Sequence, residues 1–359
     1  MDTVQEINSL EELRSLRPVW DWLYKQTPRA TFYHSFEWLE LYCKNLNPQP
    51  RLRTLFVTES QEAVGILPLI ECDVVSGRNA IRTLECPWAG FLPSDHPLGP
   101  HPAETMRRMS DYLVSVCHPA WDSVALNLGD LVECRPLDRK QPFETMHHRF
   151  GLKAIERHPW IHCEGSFDRY WRDRGWEFSR SVDDAEMQMA QSSNLEFSRL
   201  RLEDDQVDDA DTARQMFALW HDNWHDPGTP TGRQTHVPHA QIEERELFQA
   251  ACRAGCVDLS WLSLDGRPSV IAYGFQCGGY VERLRFAVVN DVASQAAVSV
   301  LARSVVSDSY QRGDVGVVFD DIPTFQDWMT DQLESRKLVL YSGSGPRRAL
   351  KRLRECIPF

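Results

Sequence analysis

The chain has 359 residues, 42% of them hydrophobic and 25% charged, a composition typical of folded globular proteins. Its length exceeds that of one ordinary domain and predicts two. The formal net charge of −13 argues against nucleic acid or an anionic membrane surface as the main partner. The sequence has no apolar run of membrane-spanning length, so no membrane span is expected.

The cysteines give a second general constraint. The chain has 10 of them, scattered, with no C-x-x-C pair and no spacing typical of metal ligands. This distribution predicts neither a disulfide framework nor a bound metal. Because no signal-peptide pattern follows Met1, we expect the protein in a reducing cytoplasm.

The first elements in chain order are two helices and a hairpin. Residues 7–26 carry leucines and Trp20 at helical spacing, which predicts a helix. Ser35 is a favourable N-cap for a second helix. Residues 51–58 and 63–72 flank a short polar turn and alternate between polar and apolar side chains, which predicts a β-hairpin.

A loop rich in proline, glycine and aromatic residues follows at positions 84–96. Loops of this kind often carry binding residues on a scaffold of regular structure. Trp88 in this loop is therefore a candidate substrate-binding residue. A plain connection between two elements is the alternative.

An amphipathic helix is predicted from about Asp211, and it ends in a stretch rich in tryptophan and histidine. His221 and His225 are four residues apart, a spacing compatible with a shared metal. No H-E-x-x-H pattern accompanies them, so a polar cleft wall or plain surface is the preferred interpretation. Trp224 and His225 are candidate substrate-binding residues.

Three strands and a helix are predicted in the last third of the chain, at Val257–Leu264, Pro268–Cys277 and Tyr280–Val289 and from about Ser294. Asp265-Gly266 between the first two strands is the strongest short signal for a hairpin. The hairpin predicted near residues 55–69 has the same pattern, which indicates two related halves.

Strict alternation in the third strand places Glu282 on one face with Leu284 and Phe286, and Arg283 with Arg285 on the other. A glutamate in an otherwise apolar face is a candidate general base. An ion pair between Glu282 and an arginine on a neighbouring strand is the alternative.

The order strand, turn, strand, strand, helix resembles the core of the GNAT acyltransferase superfamily. Over most of its length the chain is similar to the tandem-GNAT proteins of the CelD/BcsL type, which are associated with cellulose and exopolysaccharide biosynthesis. These are similar in turn to the FemAB-type peptidoglycan aminoacyltransferases. The similarity rests on the order of four segments: Ser35-Phe-Glu-Trp38, Val64-Gly-Ile-Leu-Pro-Leu69, Gly165-Ser-Phe-Asp-Arg-Tyr170 and Leu262–Phe275.

The resemblance implies an α/β (α+β) fold of two tandem GNAT-like domains, each a mixed, mostly antiparallel sheet flanked by helices. We expect a degenerate N-terminal domain at 1–155 and an acyl-CoA-binding domain at 156–359. The implied activity is acyl transfer, as an N- or O-acetyltransferase, from acyl-CoA to a small amine or hydroxyl acceptor, with a sugar-related acceptor as one candidate and no metal expected. A catalytically inactive binding protein and a FemAB-like aminoacyl transferase are the alternatives, and the acidic charge counts against the tRNA binding that the latter needs.

The resemblance also implies roles for individual residues. Glu282 is the expected base, with Tyr310 or Tyr280 as the acid. The residues expected at acyl-CoA are Val288, Val289, Ser294, Gln295, Ala296 and Ala297. The residues expected at the acceptor are Trp88, Trp224, His225, Arg283, Arg285 and Asp320. The family has glycine in the loop before the long helix, where this chain has Ala296.

Overall fold

The chain divides into two compact units, one formed by residues 1–158 with 333–359 and the other by residues 159–332. We call them unit 1 and unit 2. The computed structural model describes residues 3–46, 51–76, 79–88, 95–115, 121–128, 149–202, 209–224, 242–289, 295–320 and 324–341.

Unit 1 contains four described helices: α1 (Leu10–Ser15), α2 (Arg17–Gln26), α3 (Phe36–Asn45) and α4 (Pro102–Ser115). Its strands are β1 (Thr3–Ile7), β2 (Arg51–Leu52), β3 (Thr54–Glu59), β4 (Glu62–Leu67), β5 (Ile70–Ser76), β6 (Asn79–Glu85), β7 (Ser123–Leu128) and the first part of β8 (Arg149–His162). The predicted second helix is confirmed, since the Ser35 side chain accepts a hydrogen bond from the Trp38 backbone N–H.

The sheets of unit 1 combine hairpins with one parallel pair. Strands β1, β3 and β4 pair antiparallel in that order. Strands β2, β5 and β6 also pair antiparallel, and β6 then pairs parallel with β7, with α4 between them in the chain. The other edge of β7 pairs antiparallel with residues 336–341 of the C-terminal strand.

Unit 2 contains five described helices: α5 (Phe167–Arg172), α6 (Trp176–Ser192), α7 (Asp209–Asn223), α8 (Glu244–Arg253) and α9 (Gln295–Arg312). Its strands are β9 (Leu195–Arg201), β10 (Val257–Leu264), β11 (Arg267–Cys277), β12 (Tyr280–Val288) and β13 (Gly316–Phe319), and β14 (Asp331–Tyr341) leads back to unit 1.

The sheet of unit 2 has one parallel pair in an otherwise antiparallel arrangement. Strands β9, β10, β11 and β12 are successive antiparallel neighbours. Strand β12 pairs parallel with β13 through the crossover helix α9, and β13 pairs antiparallel with the last residues of β8. The predicted three-strand meander leading into a long helix is confirmed.

The two units repeat one pattern. Each has an antiparallel hairpin (β3–β4 and β10–β11) and a strand, helix, parallel strand crossover (β6–α4–β7 and β12–α9–β13). The fold class is therefore the predicted α+β arrangement of two GNAT-like units. The repeat supports the prediction of two related halves.

Strand β9 is attached to the rest of unit 2 by a buried ion network. Arg199 and Arg201 both donate to the fully buried Asp258 carboxylate, and Arg201 also donates to Asp314. Burial alone would raise the pKa of Asp258, but the two guanidinium groups outweigh it and hold that pKa below its ordinary value. The network thus needs Asp258 ionised.

Cys256 and Cys277 are joined by a disulfide, with 5.6 Å between their Cα atoms. They lie where β10 begins and β11 ends, and the Gln276 backbone N–H donates to the Cys256 carbonyl. The cysteine pattern predicted no disulfide framework and did not reveal this single bond. The two cysteines are 21 positions apart in sequence and are brought together by the antiparallel pairing of β10 with β11.

Candidate active site

Strand β12 carries a bulge at its centre. Its parallel register with β13 shifts between Val281 and Leu284, and Arg283 has a φ of 59°. Val281, Leu284 and Phe286 consequently all pack into the core on the α9 side of the sheet. The predicted strict alternation is wrong here. The bulge adds one residue to the strand, so each residue after it lies on the opposite face of the sheet from the one that strict alternation predicts.

Beyond the bulge, one edge of β12 has no neighbouring strand in the described chain. The parallel register ends at Leu284 and Phe319, where the Asp320 backbone N–H donates to the Leu284 carbonyl at 3.0 Å. Strand β12 continues to Val288. We call the segment Arg285–Val288 the open edge.

The backbone groups at the open edge have a defined direction. The Val289 N–H donates to the Ser269 carbonyl at 2.8 Å, so Val289 faces β11. Backbone groups alternate in direction along a strand, so Phe286 and Val288 direct their N–H and C=O groups away from β11, towards the β13 side. The open edge therefore presents backbone donors to any group that enters beside it.

Arg285 is the most heavily contacted side chain beside the open edge. Its guanidinium donates twice to the Glu244 carboxylate, at 2.6 and 2.8 Å. It also lies over the rings of Trp220, Trp224 and Tyr273, 4.8, 5.1 and 5.3 Å from their centroids. A cation held by one carboxylate and three aromatic faces has a fixed position.

Two further charged groups surround this pair. The Asp320 carboxylate is 3.8 Å from Nε of Arg285 and 3.7 Å from Nε of Arg283. Arg283 also lies 3.5 Å from Glu244. Burial alone would raise the pKa of Glu244, but Arg285 and then Arg283 outweigh it and lower that pKa below its ordinary value.

A pocket of about 500 Å³ opens between the end of α7 and the beginning of α8. Its described lining residues are His221, Trp224, Glu243, Glu244 and Arg245. We call it the α7–α8 pocket. Because Trp224 and Glu244 both contact Arg285, the pocket and the open edge share a wall.

The predicted base, Glu282, lies inside the bulge. Its side chain is 1% exposed, and its backbone is paired with Phe275 of β11. The ring of Phe275 contacts that of Tyr273, on which Arg285 rests. The structure therefore brings Glu282 and Arg285 into one neighbourhood of the sheet.

The two predicted acids lie elsewhere. Tyr310 is fifteen residues from the first residue of α9, about 22 Å along the helix axis, and its hydroxyl donates to the His162 carbonyl at 3.0 Å. Burial raises the pKa of Tyr310 to about 12. Tyr280 lies at the far end of β12 from the open edge and its ring stacks near Trp160. Neither hydroxyl is brought to the open edge.

The residues predicted at acyl-CoA fall into two groups. Val288 is at the open edge, and Gln295, Ala296 and Ala297 form the first turn of α9, where Ala297 is buried. The N–H of Val289 is used within the sheet. Ser294 and the acceptor candidate His225 lie outside the described residues.

The remaining acceptor candidate, Trp88, belongs to unit 1. Its ring lies 4.3 Å from that of His34 and also contacts His96. Its indole N–H is buried and has no hydrogen-bond partner among the described residues. Trp88 is thus part of an aromatic and imidazole cluster on the loop after β6, which is unit 1's counterpart of the loop between β12 and α9.

Three residues around Arg285 were not predicted from the sequence. Glu244, Trp220 and Tyr273 surround Arg285, and Trp220 donates its indole N–H to the Arg285 carbonyl at 3.1 Å. The signal available in the sequence was the pair Glu243-Glu244 at the start of a helix. Acidic residues there are common for dipole reasons alone, so the pattern does not single out a binding role.

Comparison with solved structures identifies the fold. The chain aligns with FemX at a TM-score of 0.56 and 10% identity, covering 98% of this chain and 100% of that one. It aligns with a conserved protein of unknown function from Bacteroides thetaiotaomicron at a TM-score of 0.51 and 9% identity, covering 94% and 100%. A tandem GNAT protein of the clavulanic acid pathway gives a TM-score of 0.41 at 11% identity over 96% and 99%, too low a score to support an argument. At these identities, the similarity establishes the fold alone.

Comparison at the level of sequence gives no relative. No protein-family model matches the chain, and no curated protein matches it. Within the described ranges, no three His, Cys, Asp or Glu side chains are arranged to hold a metal ion. None of the helices in those ranges is long and apolar enough to cross a membrane.

Proposed function

We propose that unit 2 transfers an acyl group from acyl-CoA to a small amine or hydroxyl acceptor, as an N- or O-acetyltransferase. The observation that carries this proposal is the open edge, where β12 continues past its parallel neighbour and directs the N–H groups of Phe286 and Val288 outward. Backbone donors fixed in this way suit a pantetheine chain and a thioester carbonyl, which need polar partners beside an extended backbone.

The first turn of α9 is the proposed site of the CoA pyrophosphate. Helix α9 has 18 residues, and its first turn contains no acidic residue. The unpaired N–H groups and the dipole at the beginning of a helix stabilise an anion. Gln295, Ala296 and Ala297 with Ser294 before them are the residues we assign to this contact.

Bound acyl-CoA supplies an activated thioester, and the residues of unit 2 supply its surroundings. Glu282 takes the proton that the acceptor loses on attack, and the Phe286 N–H polarises the thioester carbonyl. Tyr280 and Tyr310 are the sequence-based candidates for returning a proton to the thiolate, although their distance along β12 and α9 disfavours both. Proton return from solvent is the alternative.

The acceptor is proposed to bind beside Arg285. Arg283, Arg285 and Asp320 form its charged wall, and Trp224 lies on its outer side. His225, outside the described residues, stays a candidate for the same role on the sequence alone. Trp88 stays a candidate for substrate binding in unit 1. A sugar-related acceptor and a CelD/BcsL-type role in polysaccharide or envelope biosynthesis are finer proposals that rest on the sequence resemblance. A cytoplasmic location is a separate proposal that rests on the signal-peptide and cysteine patterns of the sequence.

A non-catalytic binding protein is the second candidate function. Ala296 favours this non-catalytic candidate. The resemblance implies glycine at this position, and the Cβ of alanine limits how closely the backbone of the first turn of α9 can approach a phosphate. FemAB-like aminoacyl transfer is the third candidate. The similarity to FemX supports it at the level of the fold only.

Calorimetry with acetyl-CoA tests the first candidate against the second. We expect wild-type protein to bind, Ala296→Gln to bind similarly, and Ala296→Glu to bind at least about tenfold more weakly. A glutamate in the first turn favours the helix itself while repelling a phosphate, so misfolding would not account for the loss. If wild-type protein does not bind acetyl-CoA or a longer acyl-CoA at millimolar concentration, the acyltransferase proposal fails.

A further inference from the structure

The described lining of the α7–α8 pocket carries one negative charge that no ion pair compensates. Glu244 is neutralised by the two hydrogen bonds from Arg285. Arg245 lies 3.9 Å from Asp222, which compensates its charge. The exposed carboxylate of Glu243 forms no ion pair with any residue of the described chain.

Trp224, which lines the same pocket, already contacts a cation of the protein, together with the buried Trp220 behind it. Trp220 and Trp224 stack 5.2 Å apart, and the guanidinium of Arg285 lies near both rings. Indole faces attract cations because their π electrons carry negative charge. Trp224 is half-buried and lines the pocket, so the exposed part of its ring can attract a cation that enters the pocket.

We propose that the α7–α8 pocket binds an alkylammonium group through the Glu243 carboxylate and the Trp224 ring. The pocket volume of about 500 Å³ accommodates a small organic cation with several carbon atoms. His221 is the neighbouring polar group that orients the ligand, 3.4 Å from Asp222 and on the same wall.

One part of this proposal rests on the proposed function, namely that the cation belongs to the acceptor. A protonated ammonium has no lone pair, so the group held by Glu243 is not the nucleophile. The acceptor therefore carries a second amine or a hydroxyl that reaches the open edge past Arg285. This defines the acceptor class as a diamine or an amino alcohol, and an amino sugar belongs to the latter.

Calorimetry with 1,4-diaminobutane and with uncharged 1,4-butanediol tests the binding step without acyl-CoA. At about 0.15 M salt, where the screening length is about 8 Å, we expect the diamine to bind at least about tenfold more tightly than the diol. Glu243→Gln should weaken diamine binding about threefold to fivefold, the range expected for an exposed charge pair. Trp224→Leu should weaken it by a similar factor.

Glu177→Gln is the matched control, because Glu177, like Glu243, is an exposed glutamate near the beginning of a helix of unit 2. It should leave diamine binding unchanged, and circular dichroism should show all three variants folded. Equal binding of diamine and diol, or an equal effect of Glu243→Gln and Glu177→Gln, overturns the proposal. Diamine binding without acetyl-CoA binding would instead overturn the acyltransferase proposal and leave the cation site standing.

Discussion

Arg285 and Glu244 form a two-point ion pair that connects β12 to α8. The carboxylate is 17% exposed and the guanidinium 3%, so the pair is largely shielded from water. It fixes the beginning of the helix that lines one side of the α7–α8 pocket. A charge removed from such a pair leaves its partner buried and uncompensated.

Glu244→Gln is expected to destabilise the protein by about 3 kcal/mol, because the buried Arg285 guanidinium loses the carboxylate that accepts two of its hydrogen bonds. Urea unfolding at pH 7 measures this change. Glu243→Gln, one position earlier, should alter the free energy of unfolding by less than about 0.5 kcal/mol, since that carboxylate is exposed. Equal effects of the two variants would contradict the assigned pairing.

The Asp258 network predicts a loss of stability in acid. The pKa of Asp258 is lower in the folded protein than in the unfolded chain, so its contribution is present above the unfolded value of about 3.9. The contribution is lost as the pH falls from there through the folded pKa. Urea unfolding between about pH 5 and pH 2 should show this decline, and Glu244 adds to it in the same direction.

Asp258→Asn should lower the free energy of unfolding at neutral pH by about 3–5 kcal/mol, because two buried guanidinium groups lose a shared anion. It should also flatten the acid dependence. Asp211→Asn is the control, since the Asp211–Arg214 pair is exposed and should contribute less than about 1 kcal/mol. An unchanged acid profile in Asp258→Asn would show that other carboxylates set it.

The disulfide predicts a response to reductant. Alkylation of the denatured protein should label two more thiols after treatment with a phosphine reductant than before. Reduction should lower the free energy of unfolding by about 2–4 kcal/mol, the range typical of a native disulfide. The double variant Cys256→Ser with Cys277→Ser should show neither response, and a wild-type protein insensitive to reductant would contradict the pairing.

Glu282→Gln and Tyr310→Phe separate a catalytic group from a structural one. Once an acceptor is found, Glu282→Gln should lower kcat by about 10²–10⁴ and leave acetyl-CoA binding unchanged. Tyr310→Phe should leave kcat unchanged and cost about 1 kcal/mol of stability, because it removes a hydrogen bond to the His162 carbonyl. If instead Tyr310→Phe lowers kcat and Glu282→Gln does not, Tyr310 is the catalytic group.

Local signals in the sequence were sufficient for the meander and its helix. Asp265-Gly266 fixes the hairpin, and both residues adopt the positive φ that such a turn requires. The long apolar run after position 296 then predicts α9. These features depend on neighbours in sequence, which is why they were predictable.

The site itself depends on partners that are distant in sequence. No local pattern in the sequence pairs Arg199 and Arg201 with Asp258, which neutralises both and lies 59 and 57 positions away. Glu244 is 41 positions from Arg285. The bulge in β12 cannot be seen in an alternating pattern either, since it is defined by the register with β13.

The C-terminal strand has a consequence for the order of folding. Residues 336–341 complete the sheet of unit 1 beside β7, whereas residues 159–332 of unit 2 are continuous in the chain. On a translating ribosome, unit 2 therefore has all of its strands before unit 1 has its last one. The unit whose synthesis begins first is therefore the unit whose sheet receives its C-terminal strand last.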